Sequence, residues 1–277
     1  MSDSIQKLPE VPFGKNSITR LIAGGNPIDG GSHQTDLMNR HMIEYFTPAH
    51  TLEFVRRCRE QGINTWQSHY SQKIGDTIRQ YRESGDNIQW ICLSSPDEIA
   101  NKDRFSIIMG LNPIGIVFHG ELTDVLWREK KADTIPDTLK KIRDTGVMVG
   151  LSTHNPEVIN YAESEGWDLD FYMACAYRKS RNHAELMEIM KEIPIGEIYL
   201  PEDLHRMCET IRKATKTCLA FKILAAGRTC DSSEQVRKVF EFVFSHIKPT
   251  DAVIVGMYPR YTDQIKENAD FTRMYGK

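Results

Sequence analysis

The nine residues GINTWQSHY, from Gly62 to Tyr70, pass from an apolar run into Gln67, Ser68, His69 and Tyr70, all side chains that hydrogen-bond. Similar polar ends recur along the chain: His119 and Glu121 in GIVFHGEL, His154 after GVMVGLST, Met173 and Cys175 in LDFYMACAY, and Lys222 in CLAFKILAAG with Arg228 just beyond it. On a strand, residues two apart share a side, so Gln67 should point with His69, and His119 with Glu121. His69, His119, His154 and Glu121 form a donor set suited to a divalent metal (zinc, manganese or iron) with one position open to water or substrate. The same imidazoles without a metal titrate near neutrality and can move protons to and from a carbon acid or hydroxyl. Lys222, among apolar neighbours, reads as a base of lowered pKa, a cation that binds a carbonyl, or the ion-pair partner of Glu121. No HxH or HExxH pair selects the metal, so both chemistries stay open.

What must position these groups is a series of short apolar runs. Candidate strands fall at 17–25, 62–70, 87–95, 115–122, 146–153, 169–177, 218–227 and 251–258, rich in β-branched or aromatic residues and without the alternation of a half-exposed sheet. Helical patterns lie between them. TPAHTLEFVRRCREQG places Leu52, Val55 and Cys58 on one face with Gly62 as a stop, and NPEVINYAESEG opens with Asn155 as N-cap and Pro156 at the first helical position. Eight strands alternating with helices predict a single α/β domain over 1–277, a (β/α)8 TIM barrel. Two connections are long, 26–47 and 178–201; both follow a strand's C-terminal end and so overhang the barrel mouth, as lids, substrate walls or simple decoration.

A net charge of −3 and a pI near 6.3 supply no basic surface, so nucleic acid and membrane partners are not expected and a small-molecule substrate is. The polar opening MSDSIQKLPEVPFGKN has no signal-like apolar core, and no run is long enough to span a bilayer, so a cytoplasmic chain is expected. Six cysteines with no CxxC or CxxxC pair read as reduced thiols rather than disulfides or a structural zinc site. Oligomeric state is left open.

Over nearly its whole length the chain resembles a divergent aldo-keto reductase. PFGKNSITRLIAGGNPIDGG resembles that family's opening β-hairpin and first barrel strand, FVRRCREQGINTWQSH the helix and strand leading to a catalytic Asp, and GIVFHG the strand ending in a catalytic His. VMVGLSTHN resembles the strand whose Gly-x-Ser-Asn element touches nicotinamide, and DAVIVGMYPRYTDQIKENADF the last strand and helix. The resemblance implies a Tyr–Lys–Asp–His tetrad, of which His119 alone matches; Gln67 stands at the Asp position, Leu93, Ser94 and Ser95 where the Lys belongs, and Tyr70 is the local candidate for the Tyr. It also implies NADP(H), held here by Ser152 and Thr153 at the nicotinamide and by Arg228 and Arg260 at the phosphates, although Thr153 replaces Asn and the usual phosphate-gripping Lys and Arg are absent. The loops around Arg228 and Arg260 would alternatively hold a substrate phosphate.

The sequence therefore predicts a barrel enzyme on the reductase scaffold, tied to carbohydrate metabolism by a small polar carbonyl or sugar-like substrate. Its reaction would be proton transfer of the isomerase, lyase or epimerase type by His69 and His119, with His154 and Lys222 assisting, and with or without a metal. An NADP(H)-dependent oxidoreductase using Tyr70 and His119 is the alternative, and a catalytically inactive binding barrel is a second one.

Overall fold

The computed structural model describes residues 7–277; positions 1–6 of the polar opening stretch lie outside the described residues. Strands β1 (Glu10–Phe13) and β2 (Asn16–Thr19) form an antiparallel hairpin. Eight parallel strands then close a barrel: β3 (Leu21–Gly24), β4 (Thr65–His69), β5 (Gln89–Ser94), β6 (Gly115–Phe118), β7 (Met148–Thr153), β8 (Phe171–Cys175), β9 (Thr217–Phe221) and β10 (Ala252–Gly256), with β10 pairing back to β3. Helices fill the connections, as the alternating pattern predicts. Among the described residues no helix is long and apolar enough to cross a membrane. Five cysteines are buried free thiols and Cys230 is an exposed one.

Side-chain alternation divides the apolar residues into two clusters. Ile22, Ile91, Val117, Phe171, Met173, Cys175, Leu219, Phe221 and Ile254 point into the barrel, where Val11, Phe13 and Ile18 of the hairpin plug its floor. Trp66, Trp90, Leu151 and Tyr172 point outward into the helical layer with Phe54, Ile78, Ile142 and Phe240. Each such buried side chain contributes about 1.5–3 kcal/mol of apolar transfer free energy. This parity fixes the chemistry: on β4 it sends Thr65, Gln67 and His69 inward and Trp66, Ser68 and Tyr70 outward.

Three expected strands differ from the observed ones. The run 17–25 is not one strand: it splits between β2 and β3 at Arg20, whose guanidinium turns inward to donate to the carbonyls of Asp251 (2.8 Å), Lys248 (2.9 Å) and Gly276 (3.1 Å). The bend needs no glycine or proline, so the sequence carries no sign of it. The run 115–122 ends as a strand at Phe118, because His119 is already the N-cap of helix Gly120–Arg128. That helix begins against β7: a Cβ on Gly120 would lie 2.7 Å from Ser152 Oγ. The run 218–227 ends at Phe221; Lys222 follows in the left-handed region (φ 58°), as do Ala225 (48°) and Ala226 (51°). By contrast Asn155 caps helix Pro156–Ser164 as predicted, accepting from the Glu157 amide at 3.1 Å.

Candidate active site at the barrel mouth

The C-terminal strand ends present Gln67 and His69, His119, Ser152 and His154, Cys175, and Lys222 toward the barrel axis. The most constrained of these is His154. Its ring is 5% exposed, packs edge-on against Phe221 at 5.5 Å, and holds Asp124 Oδ2 through Nδ1 at 2.7 Å. Asp124, on helix Gly120–Arg128, also accepts from the His154 amide (3.2 Å) and from Thr153 Oγ1 (2.6 Å). A carboxylate at Nδ1 fixes the proton there and leaves Nε2 as a lone pair, with no protein hydrogen-bond partner among the described residues. Burial pushes the His154 pKa down, opposed by Asp124 and aided by the nearby Lys222 and Lys179 charges.

His119 is bare. Its Nδ1 is buried without a hydrogen-bond partner, and burial chiefly, opposed by Glu121 and aided by His69 and Lys222, holds its pKa below the ordinary imidazole range. Lys222 finds no hydrogen-bond acceptor and no carboxylate among the described residues; its Nζ sits over the Phe221 ring at 4.9 Å, and burial lowers its pKa. His69 is 42% exposed and belongs to a separate group, with Nε2 3.2 Å from Asp29 Oδ2 but without hydrogen-bond alignment. Lys73 donates to the Ile28 carbonyl (2.7 Å) and the Phe46 carbonyl (3.1 Å) and lies 3.5 Å from Asp29, pinning the start of the first long loop beside His69.

The two long loops meet above these groups. His33 Nδ1 lies 3.0 Å from Glu197 Oε1, Lys179 pairs with the same carboxylate, and Tyr199 donates to its other oxygen at 2.8 Å. Arg228 stacks on Tyr199 at 4.2 Å and donates to the His33 carbonyl at 3.0 Å, while Gln34 donates to the Ala226 carbonyl at 2.8 Å. Burial pushes the Glu197 pKa up, but His33 and Lys179 outweigh it and hold the carboxyl well below its usual range. His33 is raised by Glu197, then lowered further by burial and by Lys222 and Lys179, so its net direction is down. Outside Asp124 a cleft of about 720 Å³ opens between helices, walled by Trp127, Tyr161, Arg128 and Arg178.

Several residues expected at the site are elsewhere. Tyr70 points out of the barrel, its hydroxyl on Gln72 at 3.3 Å and its ring under Arg104 at 4.1 Å, so it does not meet His119. Glu121 is exposed in the first turn of a helix, not on a strand beside His119, and it does not pair with Lys222. Thr153 points outward to Asp124; Ser152 stays on the barrel side, buried against Gly120. Arg260 is exposed beside Tyr45 and Tyr261. Four residues that sequence reasoning missed do much of the positioning: Asp29, Asp124, Lys179 and Glu197. For Asp124 a signal existed, because it falls one helical turn after Gly120 on the face turned to the barrel, where a carboxylate needs a partner.

No family model matches the chain, and no curated protein matches it. Among solved structures it is similar to the glycerol dehydrogenase AKR11B4 from Gluconobacter oxydans, at 12% identity over 97% of this chain and 95% of that one, with a TM-score of 0.52. It is similar also to Gox0644 in its apo form (12% identity, 96% and 88% covered, TM-score 0.56). The chain has an aldo-keto-reductase-like barrel fold. A truncated 3-deoxy-D-arabino-heptulosonate 7-phosphate synthase from Thermotoga maritima matches as well (12% identity, 97% and 90% covered, TM-score 0.54), so the same scaffold hosts unrelated reactions. The fold is thus one that enzymes use, and the reaction has to be argued from the site.

Neither implied group fits the residues as they stand. Among the described residues no three His, Cys, Asp or Glu side chains gather closely enough to hold a metal: Asp124 takes one side of the His154 ring, Glu121 is exposed, and His69 belongs with Asp29. For NADP(H), Arg228 is engaged with the chain's own carbonyls, and a side chain on Gly227 would meet Gln34 at 2.9 Å. Tyr258, at the end of β10, is covered by His41, Tyr45 and Phe46 of the first long loop. No reaction step is drawn through either group.

Proposed function

We propose that the chain is a proton-transfer enzyme acting on a small polar carbonyl compound of sugar-like character, an isomerase, lyase or epimerase in reaction type. The His154–Asp124 pair carries this reading: a buried neutral imidazole, held by a carboxylate at Nδ1, offers Nε2 as a general base. Its lowered pKa keeps the base form present down to mildly acidic pH. The other half of the chemistry is a group for the carbonyl oxygen. Lys222 and His119 occupy the same mouth, neither satisfied by a protein partner, and a cation or N–H donor beside that oxygen stabilises the enolate formed when the adjacent C–H is deprotonated. His69, with Asp29 behind it, stands at the exposed edge, suited to passing protons to water.

The test is deuterium exchange at the carbon next to the carbonyl in dihydroxyacetone, glyceraldehyde and five- and six-carbon ketoses, followed by NMR in D₂O. Exchange above the buffer rate that falls at least about 100-fold in His154→Gln supports the reading. Exchange that is unchanged in His154→Gln, or absent for every compound, overturns it.

A further inference from the structure

Lys222 is a charged group at the barrel mouth with no ion pair among the described residues. It follows β9 in a left-handed backbone conformation, φ 58°, that L residues with a side chain avoid, and it shares that strain with Ala225 and Ala226. Such strain costs on the order of 1–3 kcal/mol per residue and persists where the surroundings impose it, often at functional sites. Its amine reaches the mouth with no hydrogen-bond acceptor and no ion-pair partner among the described residues, only the Phe221 ring. Around it stand His33 and Lys179 from the two long loops, His119, His154 on β7's end, and Cys175 on β8, with Glu197 and Glu121 farther off in effect. Lysines that serve as structural cations are normally paired when buried. Burial, with the Lys179 ammonium adding, outweighs Cys175, Glu197 and Glu121 and favours the neutral amine, which is the nucleophilic form.

We propose that Lys222 is a covalent catalyst that forms an imine with the carbonyl carbon of an aldehyde or ketone substrate. The inference rests on the proton-transfer reading and replaces its enolate by an enamine, with Lys222 bonded to the carbonyl carbon instead of standing beside the oxygen. The amine lone pair attacks the carbonyl carbon, the C=O π pair moves to oxygen, and that oxygen takes a proton from the attacking nitrogen to give a carbinolamine. Loss of water, with the departing hydroxyl taking a proton relayed from solvent through His119, forms the protonated C=N bond. In the protonated imine the adjacent C–H is acidified by the positive nitrogen, and His154 Nε2 removes that proton to leave an enamine. Returning a proton to carbon and adding back the water releases product and the free amine. Nothing is oxidised or reduced, and the water lost is regained.

The experiment is reductive trapping. The full chain is incubated with dihydroxyacetone and sodium cyanoborohydride at pH 7, digested, and the lysine adducts are mapped by mass spectrometry over time. An ordinary lysine is the free amine in about 1 part in 2,500 at that pH, and each unit of pKa lowering raises the fraction tenfold. Burial lowers the Lys222 pKa, so Lys222 is expected to be labelled faster than exposed Lys102, with exchange activity lost in step. Lys222→Arg, which keeps a cation but cannot form an imine, should lose exchange by at least about 100-fold while its thermal midpoint stays near wild type. Labelling of Lys222 no faster than Lys102, or exchange retained in Lys222→Arg, overturns the inference. Deuterium exchange by the untreated protein, lost in His154→Gln, reports on the proton-transfer reading separately, so that reading stands if exchange occurs without an adduct.

Discussion

Replacing Asp124 with asparagine changes one atom of the carboxylate and should move a proton several bonds away. Oδ1 takes Thr153 Oγ1 at 2.6 Å and Oδ2 takes His154 Nδ1 at 2.7 Å, with the His154 amide 3.2 Å from both. The amide of Asp124→Asn keeps its oxygen on Thr153 and the backbone, which places NH₂ opposite Nδ1. Nδ1 must then accept, so the imidazole proton shifts to Nε2 and the lone pair facing the mouth disappears. One charge-assisted hydrogen bond becomes a neutral one, a loss of about 1–1.5 kcal/mol. At about 2 °C per kcal/mol for a chain of this length, the midpoint falls by about 2–3 °C. Proton transfer should fall far more, by about 10²–10⁴-fold. The imidazole ¹⁵N shifts of selectively labelled protein read the tautomer directly, with no substrate needed. If His154 still carries its proton on Nδ1 in Asp124→Asn, or if exchange stays within tenfold of wild type, the assignment of His154 as an oriented base is wrong.

Lys222→Met should raise the midpoint at pH 7 by about 2 °C, since removing a half-buried ammonium with no ion-pair partner among the described residues recovers about 1 kcal/mol. The folded pKa lies below the ordinary 10.4 or so, so between those values the unfolded chain holds more protons; wild-type stability rises with pH there, and the gap to Lys222→Met should close toward pH 10. A gap independent of pH, or a lower midpoint in the variant, would contradict this. Arg181→Ala strands Asp203, whose ion pair with Arg181 is almost fully buried, and should cost about 3–5 kcal/mol in chemical denaturation; a loss under 1 kcal/mol would remove the argument. His154, His119 and His33 all have folded pKa values below the ordinary 6.5 or so, so the unfolded chain takes up protons first as pH falls through that value. The urea midpoint should therefore drop between pH 6.5 and 5, and less steeply in His119→Phe; an acid-flat midpoint would show that these rings are not held neutral.

The barrel was legible because strands buried on both faces write themselves as unbroken apolar runs, and this chain has one for each barrel strand. What could not be read was where those runs stop being strands. Arg20, His119 and Lys222 each turn the chain while the apolar character continues, the first by binding carbonyls, the second by capping a helix, the third by entering the left-handed region. The site was legible in its imidazoles and in Lys222, which lie at strand ends. Asp29 and Glu197 were not legible, because they come from connections whose path depends on tertiary packing, and the helical signal at Asp124 was missed. Tyr70 was misplaced by parity alone: one residue past His69, it belongs to the opposite face.

The clasp of His33, Lys179 and Glu197 over the mouth has a consequence for how the interior is reached. Its carboxylate is 34% exposed, so it belongs to the class of contact that dissolved ions weaken, with screening over about 8 Å at physiological ionic strength. The barrel beneath is held by apolar packing and backbone ladders that such ions leave nearly untouched. Added salt should therefore loosen the doorway without loosening the room. Traffic of small molecules through the mouth should then depend on ionic strength more steeply than the temperature at which the chain melts.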